Sequence, residues 1–361
     1  MGSYVYYRLP STSTVCLLKQ RTSSPTFMTL HNLHERRGFL ICPFHVGENT
    51  PIVLIEPEEM TSLILDAFST APLGSLSPNL SPLQERQTET DYISSFHQLH
   101  ASLQEGCLKK VVLARTMGWQ LPDDNQIVSE ELHSPMAILF RRACERYPDS
   151  FVAWWHTAHT GTWLTVSPEP LLRGNMNRGY HTVALAGTKW GGKNCETRKL
   201  WDEKNKEEQA VVSDFIARKL HEVANAVVKT ETHTVSQGSL EHLATDYFFS
   251  LRSSQQVLSL AEQLYPTPAV SGWPKQEAIK AILSAEKQPR RYYAGFCGPY
   301  QLSHAGTEDQ THLFVTIRCM EILHNFIRLY AGGGLLANSQ IQLEWEETQH
   351  KLQTLLSLFH A

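Results

Sequence analysis

The segment Tyr330-Ala-Gly-Gly-Gly-Leu-Leu-Ala-Asn-Ser-Gln-Ile-Gln-Leu-Glu-Trp-Glu-Glu-Thr-Gln-His-Lys351 joins the last apolar strand of the chain to its last helix. Residues 326–330 read as the end of a strand, Gly332 to Gly334 as a three-glycine turn, and the remainder as a short loop and a helix that runs on to residue 361. Glycine lets backbone approach a ligand that a Cβ would keep away. On the helix, Glu344, Glu347 and Lys351 are three and seven residues apart and share one narrow arc. Trp345, Leu352, Leu356 and Phe359 form a different arc, read as the packed side. Two carboxylates and an ammonium on one face suit a divalent ion with an anionic ligand. They equally suit a solvated face with an i,i+4 Glu347–Lys351 pair.

The 361 residues have ample length for a sizeable core, and 42% hydrophobic and 19% charged content describes a globular protein. A formal net charge of −4 without a long basic run makes nucleic acid a poor partner. No apolar run reaches membrane-spanning length, and the first residues lack the form of a signal peptide. Seven scattered cysteines (Cys16, Cys42, Cys107, Cys144, Cys195, Cys297, Cys319), with no CxxC, argue against a zinc site or a disulfide framework. A reducing cytoplasm is the expected location.

Taken in order, residues 1–70 alternate short apolar runs with polar breaks and carry no recognisable chemistry, and residues 71–82 are a loop by composition. A helix is expected at 88–105 and a strand at 109–115, with Lys110, Val112 and Ala114 on one side and Arg115 on the other. A helix at 135–147, a hairpin of 151–157 with 162–166, and a strand at 180–185 follow. The clearest helix spans 198–228. In it Glu208 projects with Val211, Val212 and Phe215 toward the interior, whereas Glu203 and Glu207 face solvent. An inward carboxylate needs a metal, a donor or a cation, and Lys204 one turn back offers a salt bridge. Pro274 opens another helix. Residues 292–300, 312–323 and 326–330 read as strands, the last two forming a hairpin about His324-Asn325. Arg318 then lies mid-strand, facing either a buried anion or a neighbouring glutamate.

Nine blocks in order now form a pattern: Lys110-Val-Val-Leu-Ala-Arg, Ser167-Pro-Glu-Pro-Leu-Leu, Leu185-Ala-Gly-Thr, Glu203-Lys-Asn-Lys-Glu-Glu, His242-Leu-Ala-Thr, Tyr265-Pro-Thr-Pro-Ala-Val-Ser-Gly, Thr316-Ile-Arg-Cys, Tyr330-Ala-Gly-Gly-Gly and Glu344-Trp-Glu-Glu-Thr. Together they resemble the chorismate-utilising enzymes, and within them the isochorismate synthase branch. The resemblance covers residues 105–361; residues 1–104 carry no matching motif. It implies one large α/β (α+β) domain over residues 1–361. Two antiparallel sheets would pack face to face with helices outside and the active site in the cleft between them.

The same resemblance assigns roles. Glu208 and Glu347 match Mg2+ ligands, and Glu344 a further acid near the ion. Gly187, Thr188, His242, Thr245, Arg318, Gly332 and Lys351 match positions around the substrate. Lys110 matches a general base and Glu169 a general acid for an isomerisation in which water enters ring C2 of chorismate as the C4 hydroxyl leaves. Read without the resemblance, Lys110 is a strand-end lysine and Glu169 a loop carboxylate. As a base, Lys110 needs desolvation or neighbouring cations, and Glu169 needs its pKa raised to hold a proton.

Lys110 and Ala186 stand where ammonia-using relatives carry glutamine and, in one branch, lysine. Both favour water as nucleophile, and no glutaminase partner is implied. Salicylate synthase, which adds pyruvate elimination, is the alternative, followed by a non-catalytic chorismate-binding protein. Lys189-Trp-Gly-Gly, Gln209 and Tyr265 depart from the pattern commonly found at their positions. Isochorismate feeds menaquinone and catechol siderophores; the reading inclines to menaquinone, with a monomer as the expected state.

Overall fold

A computed structural model describes residues 2–33, 35–71, 89–120, 131–190, 201–237, 240–303, 308–323 and 326–360. The first hundred residues supply β1 (Ser3–Arg8), β2 (Thr14–Gln20), β3 (Thr26–Phe27), β4 (Gly38–Cys42), β5 (Ile52–Ile55), β6 (Glu59–Ile64) and most of helix α1 (Glu89–Gln104). Next come β7 (Lys110–Gln120), α2 (Pro135–Arg146), β8 (Phe151–Thr157), β9 (Gly161–Ser167), β10 (Pro170–Asn175), β11 (Gly179–Trp190) and α3 (Glu203–Val223). Then follow β12 (Asn225–Lys229), β13 (His233–Gln237), β14 (Leu240–Ser250), α4 (Gln255–Leu264), β15 (Gly272–Trp273) and α5 (Lys275–Ala285). The chain closes with β16 (Phe296–Tyr300), β17 (Thr311–Val315), β18 (Cys319–Leu323), β19 (Phe326–Leu335) and α6 (Ile341–Leu356).

The strands form two antiparallel sheets. One runs β15-β7-β19-β18-β9-β8-β1-β2-β6, the other β12-β14-β11-β10-β17-β16-β4-β5-β3, with β13 added on β14. Strands from residues 1–104 thus complete both sheets. The inner faces meet through aromatic side chains: Phe151 of one sheet stacks on Phe314 of the other, with centroids 4.3 Å apart and planes 3° apart. Helices cover the outsides. Residues Val212, Phe215, Ile216 and Leu220 of α3 are buried, and α3 packs along β11. Met320, Ile327, Leu329 and Ala331 share a second buried cluster with residues of α2 and α6.

Among the places where the chain passes directly from one sheet to the other, two lie side by side. Pro168-Glu169 links β9 to β10, and Thr316-Ile317-Arg318 links β17 to β18. The crossings are bonded together: Val315 N–H donates to Glu169 O at 2.9 Å, and Val166 N–H to Arg318 O at 3.0 Å. Residues 312–323 are therefore not one strand. Arg318 sits in the second crossing with φ of 48°, a left-handed conformation that costs energy for a residue with a Cβ.

Other expectations also need correction. The three glycines are not a turn; they continue β19 and pair with Ala114, Leu113 and Val112 of β7. Residues 292–295 form turns before β16. The 198–228 helix ends at Val223, and its expected tail is β12. On α6 the buried residues are Glu344, Thr348, Leu352 and Leu355, so Glu344 belongs to the packed side. Cys195, His324-Asn325 and residues 72–82 of the expected loop lie outside the described residues. No described helix is long and apolar enough to cross a membrane.

Candidate active site

The two crossings frame a cavity between the sheets. Glu169, Gly187, Thr188, Glu208, His242, Arg318, Gly332 and Lys351 all line it, although they come from seven regions of the sequence. Lys110 borders it through Glu208. The Lys110 side chain is fully buried, and its Nζ lies 3.0 Å from Glu208 Oε1. It is desolvated, as a base would require, but its ion-pair partner is a carboxylate and not another cation. Glu208 itself is 8% exposed. Burial pushes its pKa up, and the ammonium groups of Lys110, Lys204 and Lys351 outweigh that and hold it below the usual carboxylate range.

Glu169 shows the opposite balance. It is 4% exposed, and burial raises its pKa to about 8 against the opposing pull of Lys110, Lys351 and Arg318. At neutral pH it holds a proton. Its position follows from the sheet crossing, where Ser167 Oγ accepts from Glu169 N–H at 3.3 Å.

Arg318 faces this proton-bearing group without an ion-pair partner among the described residues. Its one hydrogen bond to an uncharged oxygen runs from Nη1 to Thr354 Oγ1 at 3.1 Å. The neighbouring glutamate weighed from the sequence is not there, and burial lowers the guanidinium pKa. His242 Nδ1 lies 3.1 Å from both Gly187 O and Thr188 Oγ1, with Nε2 3.5 Å from Arg318 Nη2. Burial, then Arg318 and Lys351, drive its pKa down to about 3. The ring is therefore neutral; with Nδ1–H donating to Gly187 O, its Nε2 lone pair faces the guanidinium. Gly187 is a bulge residue at φ of 74°, at the register shift between Ala186 and Thr188. Thr188 N–H donates to Asn205 Oδ1 at 2.9 Å, which ties the bulge to the first turn of α3.

One expected contact does not line the cavity. Thr245 is fully buried behind the cavity wall, where its hydroxyl accepts from Gln209 Nε2 at 2.8 Å and lies 2.8 Å from Thr232 Oγ1. It supports Gln209 and does not line the cavity. Gly332 lines the cavity, and its carbonyl accepts from Lys351 Nζ at 2.8 Å.

The three expected metal acids each carry a lysine. Glu208 pairs with Lys110, Glu344 with Lys204 at 2.7 Å, and Glu347 with Lys351. Lys204, weighed as the partner of Glu208, thus bridges α3 to α6 instead. Glu344 and Glu347 line a neighbouring cavity that meets the central one at Thr188. Glu344 is 1% exposed, and burial raises its pKa to about 7 against Lys204. Its Oε2 is buried with no hydrogen-bond partner among the described residues. The glycines make the room. A Cβ on Gly333 would sit 3.3 Å from Glu344 Oε2 and 3.6 Å from Glu347 Oε1, and one on Gly334 would overlap Glu208 Oε1. Oxygen-only donors, an unpartnered carboxylate oxygen and a space kept free of Cβ atoms fit a hard cation such as Mg2+. Among the described residues, no three acid, His or Cys groups are gathered closely enough to hold an ion unaided.

Tyr293 and Tyr330 also line the cavity and were not singled out by sequence reasoning. Their rings stack with centroids 5.4 Å apart. Adjacent tyrosines at 292 and 293 read simply as strand residues, so nothing local marked Tyr293.

Residues 25–360 match the family described as chorismate binding enzyme. The chain belongs to that family. Among its relatives, isochorismate synthase EntC of Escherichia coli (strain K12) is 31% identical over 229 residues, covering 62% of this chain and 57% of EntC. The chain thus spans little more than half the length of EntC in that match. Isochorismate synthase MenF of the same strain is 29% identical over 308 residues, covering 82% of this chain and 67% of MenF. Among solved structures, the menaquinone-specific isochorismate synthase MenF from Escherichia coli superimposes with a TM-score of 0.78 at 22% identity, covering 100% of this chain and 89% of that one. Anthranilate synthase component I from Streptococcus pneumoniae gives 0.71 at 16% identity, covering 98% and 92%. These likenesses establish the fold of two packed antiparallel sheets.

Proposed function

We propose that the protein is an isochorismate synthase, isomerising chorismate by water attack at C2 and loss of the C4 hydroxyl, with Mg2+ as cofactor. The observation that carries this reading is the pairing of a buried lysine with a proton-holding carboxyl at one cavity. Lys110, once its pair with Glu208 opens and it has released its own proton to solvent, takes a proton from the incoming water, and Glu169 protonates the leaving hydroxyl. Arg318 and Lys351 supply positive charge for a dianionic substrate in a site from which water is excluded. Neutral His242 and the bulge at Gly187-Thr188 orient polar groups at the same wall.

Glu208, Glu347 and Glu344 would hold Mg2+, which supplies a hard positive centre for a substrate carboxylate. Few protein ligands completed by water and substrate is the usual arrangement for this ion. Menaquinone formation is proposed as the destination of the product, supported by the 82% coverage of this chain in the match to MenF. The test is a Mg2+ titration of isochorismate formation from chorismate. Glu208→Ala should shift or abolish the Mg2+ response, and an unchanged titration would make Glu208 only the counter-charge of Lys110.

A further inference from the structure

Arg115 lies on the face of β7 opposite Lys110 and is 3% exposed. A buried guanidinium is expensive unless it is paired, yet no carboxylate lies within ion-pairing distance among the described residues. Its partners are instead on α6. The guanidinium carbon sits 3.9 Å from the ring centroid of Trp345, and Nε donates to Thr348 Oγ1 at 2.6 Å. Thr348 is fully buried and donates in turn to Trp345 O at 2.7 Å. Tyr92 of α1 closes the other side, its ring 5.1 Å from Trp345 at 64°. Burial lowers the Arg115 pKa only to about 10, so the group stays charged at neutral pH.

The placement of these contacts is informative. Trp345 and Thr348 alternate along α6 with Glu344, Glu347 and Lys351. The Arg115 backbone pairs with Ala331, immediately before the glycines that leave room for the acids. One side chain therefore fixes the helix carrying the acids to the strand carrying Lys110. A stacked planar fork that also donates from Nε constrains both sliding and rotation, which an ammonium cannot do.

We propose that Arg115 is a positioning residue that holds α6 on β7, setting where Glu344 and Glu347 stand relative to Lys110 and hence how readily the site takes Mg2+. This rests on the functional reading above for the roles of those acids. Arg115→Lys keeps the charge and loses the stacked fork; Thr348→Val removes the other end of the hydrogen bond, together with the bond from Thr348 Oγ1 to Trp345 O. Both variants and the wild type are compared for chorismate turnover across a Mg2+ titration and for the rise in thermal midpoint that Mg2+ produces.

The expected result for both is a kcat about tenfold or more below wild type, from a small displacement of reacting groups. The Mg2+ half-saturation should rise several-fold and the Mg2+-induced midpoint rise should shrink, with chorismate KM little changed. The double variant should be no worse than the poorer single one, because one interaction is being removed. Wild-type titrations and midpoint rises in either variant would overturn the proposal; should Arg115→Lys not fold, Thr348→Val decides it. If the wild type itself does not consume chorismate, the functional reading fails, and the thermal arm still tests whether Arg115 governs Mg2+ binding.

Discussion

Replacing Glu169 with glutamine changes one atom of a buried side chain and removes the proton that the mechanism spends. The carboxyl is pushed from an ordinary 4.5 to about 8 by burial. That gap corresponds to roughly 5 kcal/mol of preference for the protonated form in the folded protein. Two consequences follow. As a general acid Glu169 should contribute about 10²–10⁴-fold to turnover, or roughly 3–5 kcal/mol of barrier. Wild-type kcat should also fall as pH rises through about 8, where Glu169 loses its proton. The linkage has a definite sign. A carboxyl whose folded pKa is raised contributes fully below its unfolded value, and the protein loses that stability as pH climbs from about 4.5 toward about 8. Between pH 5.5 and 7.5 the loss is roughly 2–3 kcal/mol, and Glu169→Gln should not show it. The assay pairs steady-state turnover of chorismate from pH 6 to 9 with urea unfolding of both proteins at the two pH values. Near-wild-type turnover in Glu169→Gln, or an identical pH dependence of unfolding in both proteins, would refute the reasoning.

Lys110→Ala should abolish turnover while chorismate still binds by calorimetry, and it should lower stability by about 3 kcal/mol or more because Glu208 is left buried and unpaired; normal turnover would remove Lys110 as the base. Gly334→Ala places a methyl against Glu208 Oε1, so folded protein with a much weaker Mg2+ response is expected. An unaltered Mg2+ titration there would mean that the glycine serves only the strand. Supplying ammonium salts with chorismate and Mg2+ should yield no aminated product by mass spectrometry, since Lys110 stands where ammonia users carry glutamine; anthranilate in the mixture would place the chain in the other branch.

Helix faces were legible wherever burial follows periodicity. Glu208 is buried, and Glu203 and Glu207 are exposed, as the 3.6-residue pattern of α3 required. The acid role proposed for Glu169 came only from its place in an ordered set of motifs. The dipeptide Pro168-Glu169 contains nothing to show that it crosses between sheets, and the crossing is what buries it. The second crossing was hidden for a related reason. Apart from Arg318, residues 313–320 are apolar or β-branched and include no glycine or proline, so alternation reads straight through the arginine. The turn is made by one residue at positive φ, a strain visible only once both sheets exist. The glycines misled in the opposite direction, since composition suggests a turn. Their lack of Cβ serves the carboxylates above them while their backbone keeps pairing with β7. Glu344 fell on the expected solvated arc, but Lys204 reaches it from α3, and that long-range contact makes its burial tolerable.

The central claim is tested most directly by identifying the product. Purified protein is incubated with chorismate and Mg2+, with and without EDTA, and the mixture is resolved by chromatography and NMR. Isochorismate accumulating beside residual chorismate, only where Mg2+ is free, is the expected result. Salicylate with pyruvate, or chorismate bound and unchanged, would contradict it.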